Sequence, residues 1–491
     1  MKSSLNLRLI LMILSFACII IGGTMLVGLL CSLVYQENSM TNIFWPLTLL
    51  YIAGGFLLLR FSRRKLKAQT IKVREGILAV TLCWVFSCVL GALPYLLAGS
   101  HHTFIDAFFE STACVTTTGS TLVANLAILP KSLLFYRQFT NWLGGLGIII
   151  FAITIIPMLG FGSANLANAE MMGQTVDNMR TRVKDTGRNI FVIFLAMTVL
   201  EMLLLMADRV SLYDAFVIAF SSVANGGFST YQMGSEGGSL YVDVINCVFC
   251  ILGAISFVSY QLLLKRRVRD FFKEAEIRWF LIFLGVICAL VFIILLASGV
   301  YGSVADTARY GIMQTVSYVA TSGYSGVNVD IWPQSAHWLL IIGMIVGGCS
   351  GSTSSGIKIV RAAVVVSLIK RNFYKRLHPN AVVAVKLGDR PVPADRVSSI
   401  ATYVILFAIV VLVSCFALSF ENLDGETTLG TVIAMISNTG LILGPGIKIG
   451  AAFTNFSQFS LLYMSILMIA GRLELFTVAL LFSPAFWRPY R

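Results

Sequence analysis

The sequence predicts an all-α polytopic membrane protein, in which four repeats of span, re-entrant helix and span surround a central pore, preceded by two extra transmembrane helices. The first observation is the composition: 57% of the 491 residues are hydrophobic and 12% are charged, whereas soluble domains carry about 25% charged residues. The second is a series of long apolar stretches, and the third is a set of four short apolar segments that each end at a glycine. This pattern argues against a soluble enzyme of several domains.

Ten stretches are long enough to cross a hydrocarbon core of about 30 Å as a helix that rises about 1.5 Å per residue. They cover residues 9–35, 41–59, 76–99, 138–160, 189–207, 244–264, 279–299, 334–369, 397–420 and 455–487. The first follows two basic residues, as in a signal peptide, but its length favours a retained spanning helix. Charges occur in three spans, at Glu201, at Lys358 and Arg361, and at Arg472 and Glu474. Such positions are typically paired, hydrated or functional.

The distribution of basic residues predicts the orientation in the membrane. With ten spans and a cytoplasmic N-terminus, 30 of the 36 Lys and Arg residues fall in inner segments and five fall outside. This asymmetry follows the positive-inside rule and predicts that both termini are cytoplasmic. Because the positive charge is spread over all inner loops, it does not indicate nucleic-acid binding. The outer loops hold twelve acids against five bases, a balance that attracts cations.

Four outer segments of about 10 to 12 apolar residues are too short to span and too apolar for ordinary loops, which is typical of re-entrant helices. Each begins at an acid and ends at a glycine in a small polar cluster: Asp106 to Gly119, Asp214 to Gly227, Asp306 to Gly323 and Glu426 to Gly440. The predicted units are therefore two N-terminal helices in 1–74 and pore repeats in 75–187, 188–275, 276–395 and 396–491.

These segments suit a cation filter. An acid near the N-terminus of a half-helix is favoured by the helix dipole, and four partly negative C-terminal ends that converge would stabilise a cation. Glycine then lets the backbone turn back with its carbonyl oxygens directed inward. Rings of carbonyl oxygens can replace the hydration shell of a monovalent ion. A single polar glycine cluster would indicate only a turn, but four equivalent clusters on one side of the membrane predict a filter.

The sequence resembles the Trk/Ktr/HKT potassium transporter superfamily, and most closely its bacterial TrkH/TrkG branch of Trk system potassium uptake proteins, over essentially the whole chain. The motifs that carry the resemblance are Thr116-Thr117-Thr118-Gly119, Asn225-Gly226-Gly227-Phe228, Thr321-Ser322-Gly323-Tyr324, Asn438-Thr439-Gly440, Asn141-Trp142-Leu143-Gly144-Gly145-Leu146-Gly147 and Gly471-Arg472-Leu473-Glu474-Leu475-Phe476-Thr477.

The resemblance implies K⁺ uptake across the bacterial inner membrane, one pore in each subunit of a homodimer, and a cytoplasmic TrkA-type nucleotide-binding regulatory subunit. It implies that K⁺, the substrate, binds to backbone carbonyls at the two positions before each filter glycine: Thr117, Thr118, Asn225, Gly226, Thr321, Ser322, Asn438 and Thr439. Members with Ser at the first filter glycine tend to pass Na⁺, whereas this chain has Gly119. Leu441 stands where many relatives have Pro, so the fourth filter strand has the least secure register.

The eighth span is interrupted by residues 347–356, which include four glycines and five Ser or Thr residues. Glycine weakens a helix by about 1 kcal/mol relative to Ala, and non-helical backbone at this depth needs protein or a wet cavity around it. The interruption predicts a gating loop below the filter, with Gly347, Gly348, Gly351, Ser352 and Gly356 as its candidate residues, and the resemblance implies the same. The alternative is close helix packing through small residues.

Arg472 is a further candidate gating residue, because a charge inside the last span is costly unless it is paired or hydrated. Glu474 is two positions away and does not share its helix face. An arginine that faces a wet pore fits these requirements. The alternative is a structural partnership with Glu201 or with loop carbonyls, and both roles can hold together.

No arrangement of nucleophile, base or paired carboxylates at membrane depth indicates an enzyme, and no organic cofactor is expected. The basic segment 371–396 is the predicted docking surface for the regulatory subunit, although its charge also fits a topology signal that contacts anionic lipid. Two other functional classes remain open: a secondary transporter coupled to Na⁺ or H⁺, for which only Glu201 and Glu474 are available, and a membrane scaffold, which leaves the four glycine clusters unexplained.

Overall fold

The computed structural model describes residues 7–63, 73–123, 126–154, 176–228, 238–444 and 453–487. Parts of the predicted span 138–160, of residues 60–74, which hold seven of the basic residues assigned to inner segments, and of both chain ends lie outside these residues, as do Pro445 and Gly446. The described residues are mostly helical, and their only strands form a two-residue antiparallel hairpin of β1 (Lys386–Leu387) and β2 (Arg390–Pro391). The predicted all-α class is confirmed.

Two N-terminal helices, α1 (Leu7–Val34) and α2 (Asn38–Arg63), pack against each other. Their contact is close because glycines lie at it: a Cβ added to Gly22 would lie 2.8 Å from Ile52, and one added to Gly55 would lie 2.6 Å from Ile19. Small residues at membrane helix contacts allow this approach.

Four repeats follow, and each contains a first helix, a short pore helix and a second helix. The first helices are α3 (Val73–Leu97), α6 (Val176–Ala207), α11 (Ala275–Ser298) and α15 (Ala394–Leu418). Pore helices 1 to 4 are α4 (Phe104–Val115), α7 (Leu212–Val223), α12 (Val304–Val319) and α16 (Gly425–Ile436). The second helices are α5 (Lys131–Thr154), α8 (Leu240–Ala254), α13 (Gln334–Val346) and α17 (Gln458–Arg472).

Further helices continue three of the repeats. Repeat 2 continues with α9 (Tyr260–Leu264) and α10 (Val268–Lys273), repeat 3 with α14 (Ile359–Leu377), and repeat 4 with α18 (Leu475–Phe482) and α19 (Pro484–Trp487). By length and composition, six helices in the described part of the chain can cross a membrane, or seven if the pair α17 and α18, which is bent by 113°, is one span. The chain is a multi-pass membrane protein.

The second helices of repeats 2, 3 and 4 are broken, and only the break in repeat 3 follows from the sequence analysis. The stretches 244–264 and 455–487 were expected to be continuous, but their helices end at Ala254 and Arg472. In repeat 2 the helix ends because residues of repeat 3 bond to its backbone. Cys349 N donates to Ala254 O over 2.9 Å, and Phe257 N donates to Gly351 O over 3.0 Å. Backbone groups of the broken helix in repeat 3 thus replace intrahelical hydrogen bonds of repeat 2.

Candidate functional site

The four pore helices begin with equivalent N-terminal caps. The side chains of Thr103, Ser211, Ser303 and Asp424 each accept a hydrogen bond from the backbone N–H three residues later, at 3.0 to 3.1 Å. In the first three helices that third residue is the predicted acid, so each of these helices begins two residues before its acid. The caps satisfy orphan N–H groups, and the acids complement the positive end of the helix dipole.

The four pore helices also end in the same way. One backbone bond spans five residues at each end: Thr118 N to Ala113 O at 2.8 Å, Gly226 N to Ser221 O at 2.8 Å, Ser322 N to Ser317 O at 2.9 Å and Thr439 N to Ala434 O at 2.9 Å. This closure is typical of a helix that stops at a left-handed residue. The chain therefore leaves each helix in the same direction.

Two positions in every repeat have a left-handed backbone. The first is Thr117, Asn225, Thr321 or Asn438, with φ between 50° and 53°, and the second is Gly119, Gly227, Gly323 or Gly440, with φ between 69° and 85°. A residue with a side chain in this conformation costs on the order of 1–3 kcal/mol and is found mainly at functional sites. The four repeats thus share one strained backbone conformation at these two positions.

The four glycines lie in a closed circle. A Cβ added to Gly119 would lie 2.6 Å from Gly226 O, one on Gly227 2.7 Å from Ser322 O, one on Gly323 2.5 Å from Thr439 O, and one on Gly440 2.0 Å from Thr118 O. The glycine of each repeat thus lies against the backbone oxygen of the residue just before the glycine of the next repeat. The glycine of the fourth repeat lies in the same way against the first repeat. We call the four tripeptides the filter ring: Thr117-Thr118-Gly119, Asn225-Gly226-Gly227, Thr321-Ser322-Gly323 and Asn438-Thr439-Gly440. The structure brings together all twelve candidate filter residues.

Side chains of the filter ring bond to neighbouring protein groups. Thr116 Oγ1 and Thr118 Oγ1 are 2.7 Å apart, and Ser437 Oγ and Thr439 Oγ1 repeat this pair at 2.9 Å. Asn438 Nδ2 donates to Thr118 Oγ1 at 2.9 Å and to a backbone oxygen of α17 at 2.8 Å. These bonds hold the strained strands through their side chains, and within the ring Gly226 O accepts a hydrogen bond from Phe228 N at 2.9 Å. Gly440 has a φ and a helix closure close to those of its three equivalents, so Asn438, Thr439 and Gly440 occupy the corresponding positions of the fourth strand.

Residues 347–356, the intramembrane loop, contact the filter ring directly. Thr321 Oγ1 lies 3.0 Å from Ser354 Oγ and accepts a hydrogen bond from Ser355 N at 2.9 Å. The Asn225 amide lies 3.1 Å from Thr353 Oγ1. The loop is therefore bonded to the left-handed residues of the second and third filter strands.

The candidate gating glycines shape the intramembrane loop. Gly347, Gly351 and Gly356 have φ of 69°, 71° and 86°, and a Cβ on Gly347 would lie 2.0 Å from Ser355 O. Gly348 also has no space for a side chain, because its Cβ would lie 2.7 Å from Ser354 Cβ. Ser352 Oγ donates to Cys349 O at 2.6 Å and so closes a turn inside the loop.

Charged side chains also bond to the loop. Arg472 Nη1 donates to Thr353 O at 2.8 Å and to Ser355 Oγ at 2.9 Å, and Arg472 is 2% exposed. Lys358 Nζ donates to Ser354 O at 2.5 Å, and Glu276 accepts from Ser350 N. The two roles considered for Arg472 were a charge that faces a wet pore and a structural partner of Glu201 or of loop carbonyls, and the hydrogen bonds to the loop belong to the second. Arg472 Nε and Nη2 have no hydrogen-bond partner within the described residues.

The two acids considered for Arg472 have other partners. Glu474 Oε2 lies 2.5 Å from Arg361 Nη2, and Glu201 Oε1 accepts from Ser222 Oγ at 2.5 Å. The sequence analysis did not assign a role to Lys358 or Glu276. Lys358 could have been found as a basic residue two positions after the last loop glycine, whereas Glu276 is distant in sequence and carries no such signal. Across the described ranges, no group of three or more His, Cys, Asp or Glu residues is arranged to hold a metal ion.

Comparison with known proteins gives consistent matches. The TrkH family, described as "Cation transport protein", matches residues 39–488. The Trk system potassium uptake protein TrkH of Salmonella typhimurium is 34% identical over 496 residues, covering 99% of this chain and all of that protein. TrkG of Escherichia coli K12 is 29% identical over 470 residues, with 95% of each chain covered. The crystal structure of the potassium transporter TrkH from Vibrio parahaemolyticus matches with a TM-score of 0.88 and 30% identity, over 98% of this chain and 100% of that one.

Proposed function

This chain belongs to the TrkH family of cation transport proteins, and on that premise we propose that it takes up K⁺ across the bacterial inner membrane through a gated pore lined by the filter ring. The observation that carries the proposal is the closed circle of four left-handed glycines. Each lies against the backbone oxygen of the residue before the glycine of the next repeat. A circle built from four parts of one chain supports one pore in each subunit.

Ion selection in this account depends on backbone oxygens. K⁺ would bind to the carbonyls of Thr117, Thr118, Asn225, Gly226, Thr321, Ser322, Asn438 and Thr439, which replace water around the ion. The C-terminal ends of the four pore helices add partial negative charge near these oxygens. Bonds such as Asn438 Nδ2 to Thr118 Oγ1 occupy the side chains, so selection is assigned to the main chain.

Gating is assigned to the intramembrane loop together with Arg472. The loop bonds to the filter ring through Thr321 and Asn225, and it also accepts hydrogen bonds from Arg472 and Lys358. Loop movement would therefore have to break bonds to charged groups, which are worth about 1.5–3 kcal/mol each. These hydrogen bonds would stabilise a closed position of the loop, from which a cytoplasmic subunit can release it.

The secondary-transporter alternative is not favoured. It requires carboxylates that bind and release a coupling ion near the midplane. The two available acids already have protein partners: Ser222 for Glu201 and Arg361 for Glu474. The four parallel repeats also surround a fixed ring rather than two halves that could rock.

The functional unit in the proposal is a homodimer with both termini in the cytoplasm and a TrkA-type nucleotide-binding subunit beneath it. The proposed docking segment 371–396 includes the end of α14 and the β1–β2 hairpin, and exposes Lys375, Arg376, Lys386 and Arg390. A Lys375→Glu/Arg376→Glu double variant should lose co-purification with the subunit, while Lys265→Glu/Arg269→Glu, which alters exposed charges on another inner segment, should retain it.

Uptake of ⁸⁶Rb⁺ and ²²Na⁺ by liposomes that contain the purified chain tests the proposed function. We expect Rb⁺, as a K⁺ substitute, to enter much faster than Na⁺, and K⁺ to compete with Rb⁺. Equal entry of both ions would refute the proposal. So would Rb⁺ entry that, with the partner subunit and its nucleotide present, is no faster than entry into protein-free liposomes.

A further inference from the structure

A buried ion pair lies behind the outer end of the filter ring. Arg137 Nη2 is 2.8 Å from Glu110 Oε1, and both side chains are 1% exposed. Glu110 lies on pore helix 1, nine residues before Gly119, and Arg137 lies on α5. A charged pair at this depth is costly to desolvate unless other contacts complete it. The remaining contacts of the two side chains therefore indicate what the pair holds.

Glu110 holds the first filter strand where it leaves the ring. Its Oε1 accepts a hydrogen bond from Thr121 Oγ1 at 3.0 Å, and its Oε2 accepts one from Leu122 N at 3.1 Å. Thr121 is two residues after Gly119, so the carboxylate restricts the strand next to its last filter residue. One carboxylate thus joins the pore helix to the strand that follows it.

Arg137 contacts the second filter strand. Its guanidinium carbon lies 3.7 Å from the centroid of the Phe228 ring, within the range of a cation–π contact. Phe228 directly follows Gly227, is 2% exposed, and donates its N–H to Gly226 O at 2.9 Å. The ion pair therefore connects the first strand, through Glu110, with the second strand, through Arg137.

The equivalent position in the other repeats supports a role in holding the strand. Nine residues before each filter glycine the chain has Glu110, Ile218, Gln314 and Thr431. Gln314 Nε2 donates to Tyr324 O, the carbonyl directly after Gly323, at 3.3 Å. Repeats 1 and 3 thus both use this position to hold the outgoing strand, and repeat 1 does so with a charge.

We propose that Glu110 and Arg137 are positioning residues for ion selection, which fix the separation of the Thr118 and Gly226 carbonyl oxygens without binding the ion. This inference rests on the proposed K⁺ filter. Discrimination between K⁺ and Na⁺ depends on how closely the carbonyls can approach the ion and on their field. Strands released from the pair can close around a smaller ion, so loss of the pair lowers the preference for K⁺.

The test measures the ratio of Rb⁺ to Na⁺ influx into liposomes for three variants of the full chain. Thr121→Val removes the hydrogen bond to Glu110 together with the one that Thr121 Oγ1 accepts from Val123 N, and it leaves the ion pair in place. Glu110→Gln/Arg137→Gln removes both charges, so that neither is left buried alone. We expect a ratio about threefold lower for the first variant and roughly tenfold lower for the second, as the loss of one or more hydrogen bonds would give. The control Asp243→Asn/Arg309→Gln disrupts another outer ion pair, between α8 and pore helix 3, and should keep the parent ratio.

The outcomes separate the two proposals. A parent protein that does not prefer Rb⁺ refutes the proposed function itself. A selective parent with unchanged ratios in both Thr121→Val and the double variant, each eluting as a single folded species, overturns the role of the pair. A lower total flux at an unchanged ratio also overturns it, since that result indicates a merely structural pair. If the double variant does not fold, Thr121→Val alone decides.

Discussion

Arg472 donates a 2.8 Å hydrogen bond to the main-chain oxygen of Thr353, the residue whose hydroxyl lies 3.1 Å from the Asn225 amide of the filter ring. The arginine stands at the end of α17, directly before the 113° bend of the last helix pair. The bend in repeat 4 is thereby joined to the intramembrane loop of repeat 3 and to a filter strand of repeat 2. These three places are thus connected through Arg472 and Thr353.

Replacement of Arg472 tests this connection. Arg472→Ala should raise K⁺ flux in the absence of the regulatory subunit, because it releases the loop and removes a positive charge that repels K⁺. Arg472→Lys retains the charge and should remain closer to the parent. Flux assays in liposomes and thermal unfolding in detergent measure both effects. An Arg472→Ala protein that folds normally and conducts like the parent would refute the gating role.

Shortening the intramembrane loop tests its role as an obstruction. Ile357 N donates to Ile345 O at 2.8 Å and Ile359 N to Gly348 O at 2.9 Å, so the base of the loop is closed by backbone bonds. Deletion of residues 350–354 should therefore preserve these backbone bonds at the base of the loop and raise basal K⁺ flux without the partner. Loss of flux in a protein that is monodisperse by gel filtration would instead support a packing role for the loop.

Serine at the filter glycines should lower the preference for K⁺ over Na⁺. The added Cβ would lie 2.6 Å from a carbonyl oxygen in Gly119→Ser and 2.5 Å in Gly323→Ser, and both positions have a positive φ. The strands must shift, and the Rb⁺ to Na⁺ influx ratio should fall by about tenfold, the factor that about 1.4 kcal/mol gives. Gly285→Ser, with no atom within 4 Å of its Cβ, is the matched control. Parent selectivity in both filter variants would remove these glycines from the filter.

Neutralisation of Glu201 separates a pore from a coupled carrier. Glu201→Gln can still accept the hydrogen bond from Ser222 Oγ but can no longer bind and release a proton or Na⁺. We expect Rb⁺ flux to stay within about twofold of the parent, since no ion-binding role is assigned to this carboxylate. Uptake that becomes independent of a proton or sodium gradient only in the variant would favour the carrier.

The sequence predicted the parts of the fold that depend on local pattern. Four short apolar segments ending at Gly119, Gly227, Gly323 and Gly440 predicted the pore helices and the strands after them, because a glycine and its polar neighbours form the turn themselves. The glycine-rich stretch in the eighth span likewise predicted a loop, since the residues that weaken the helix lie within it.

The remaining features depend on contacts between distant parts of the chain. The helix end at Ala254 is stabilised by Cys349 N, 95 positions later, and nothing near Ala254 in the sequence announces it. The ion pair of Glu110 with Arg137 and the hydrogen bond that Glu276 accepts from the loop also join residues that are distant in the sequence. Charges inside apolar segments indicated that partners were needed, but only the fold shows which ones.

Single-channel recording from the purified chain in a planar bilayer tests the central claim most directly. A fixed filter ring should give discrete current steps whose reversal potential follows the K⁺ gradient and does not move when the Na⁺ or H⁺ gradient is changed. Gly323→Ser in the same bilayer should shift the reversal potential toward that of Na⁺. Tracer uptake without unitary currents, together with a dependence on the Na⁺ or H⁺ gradient, would contradict the account.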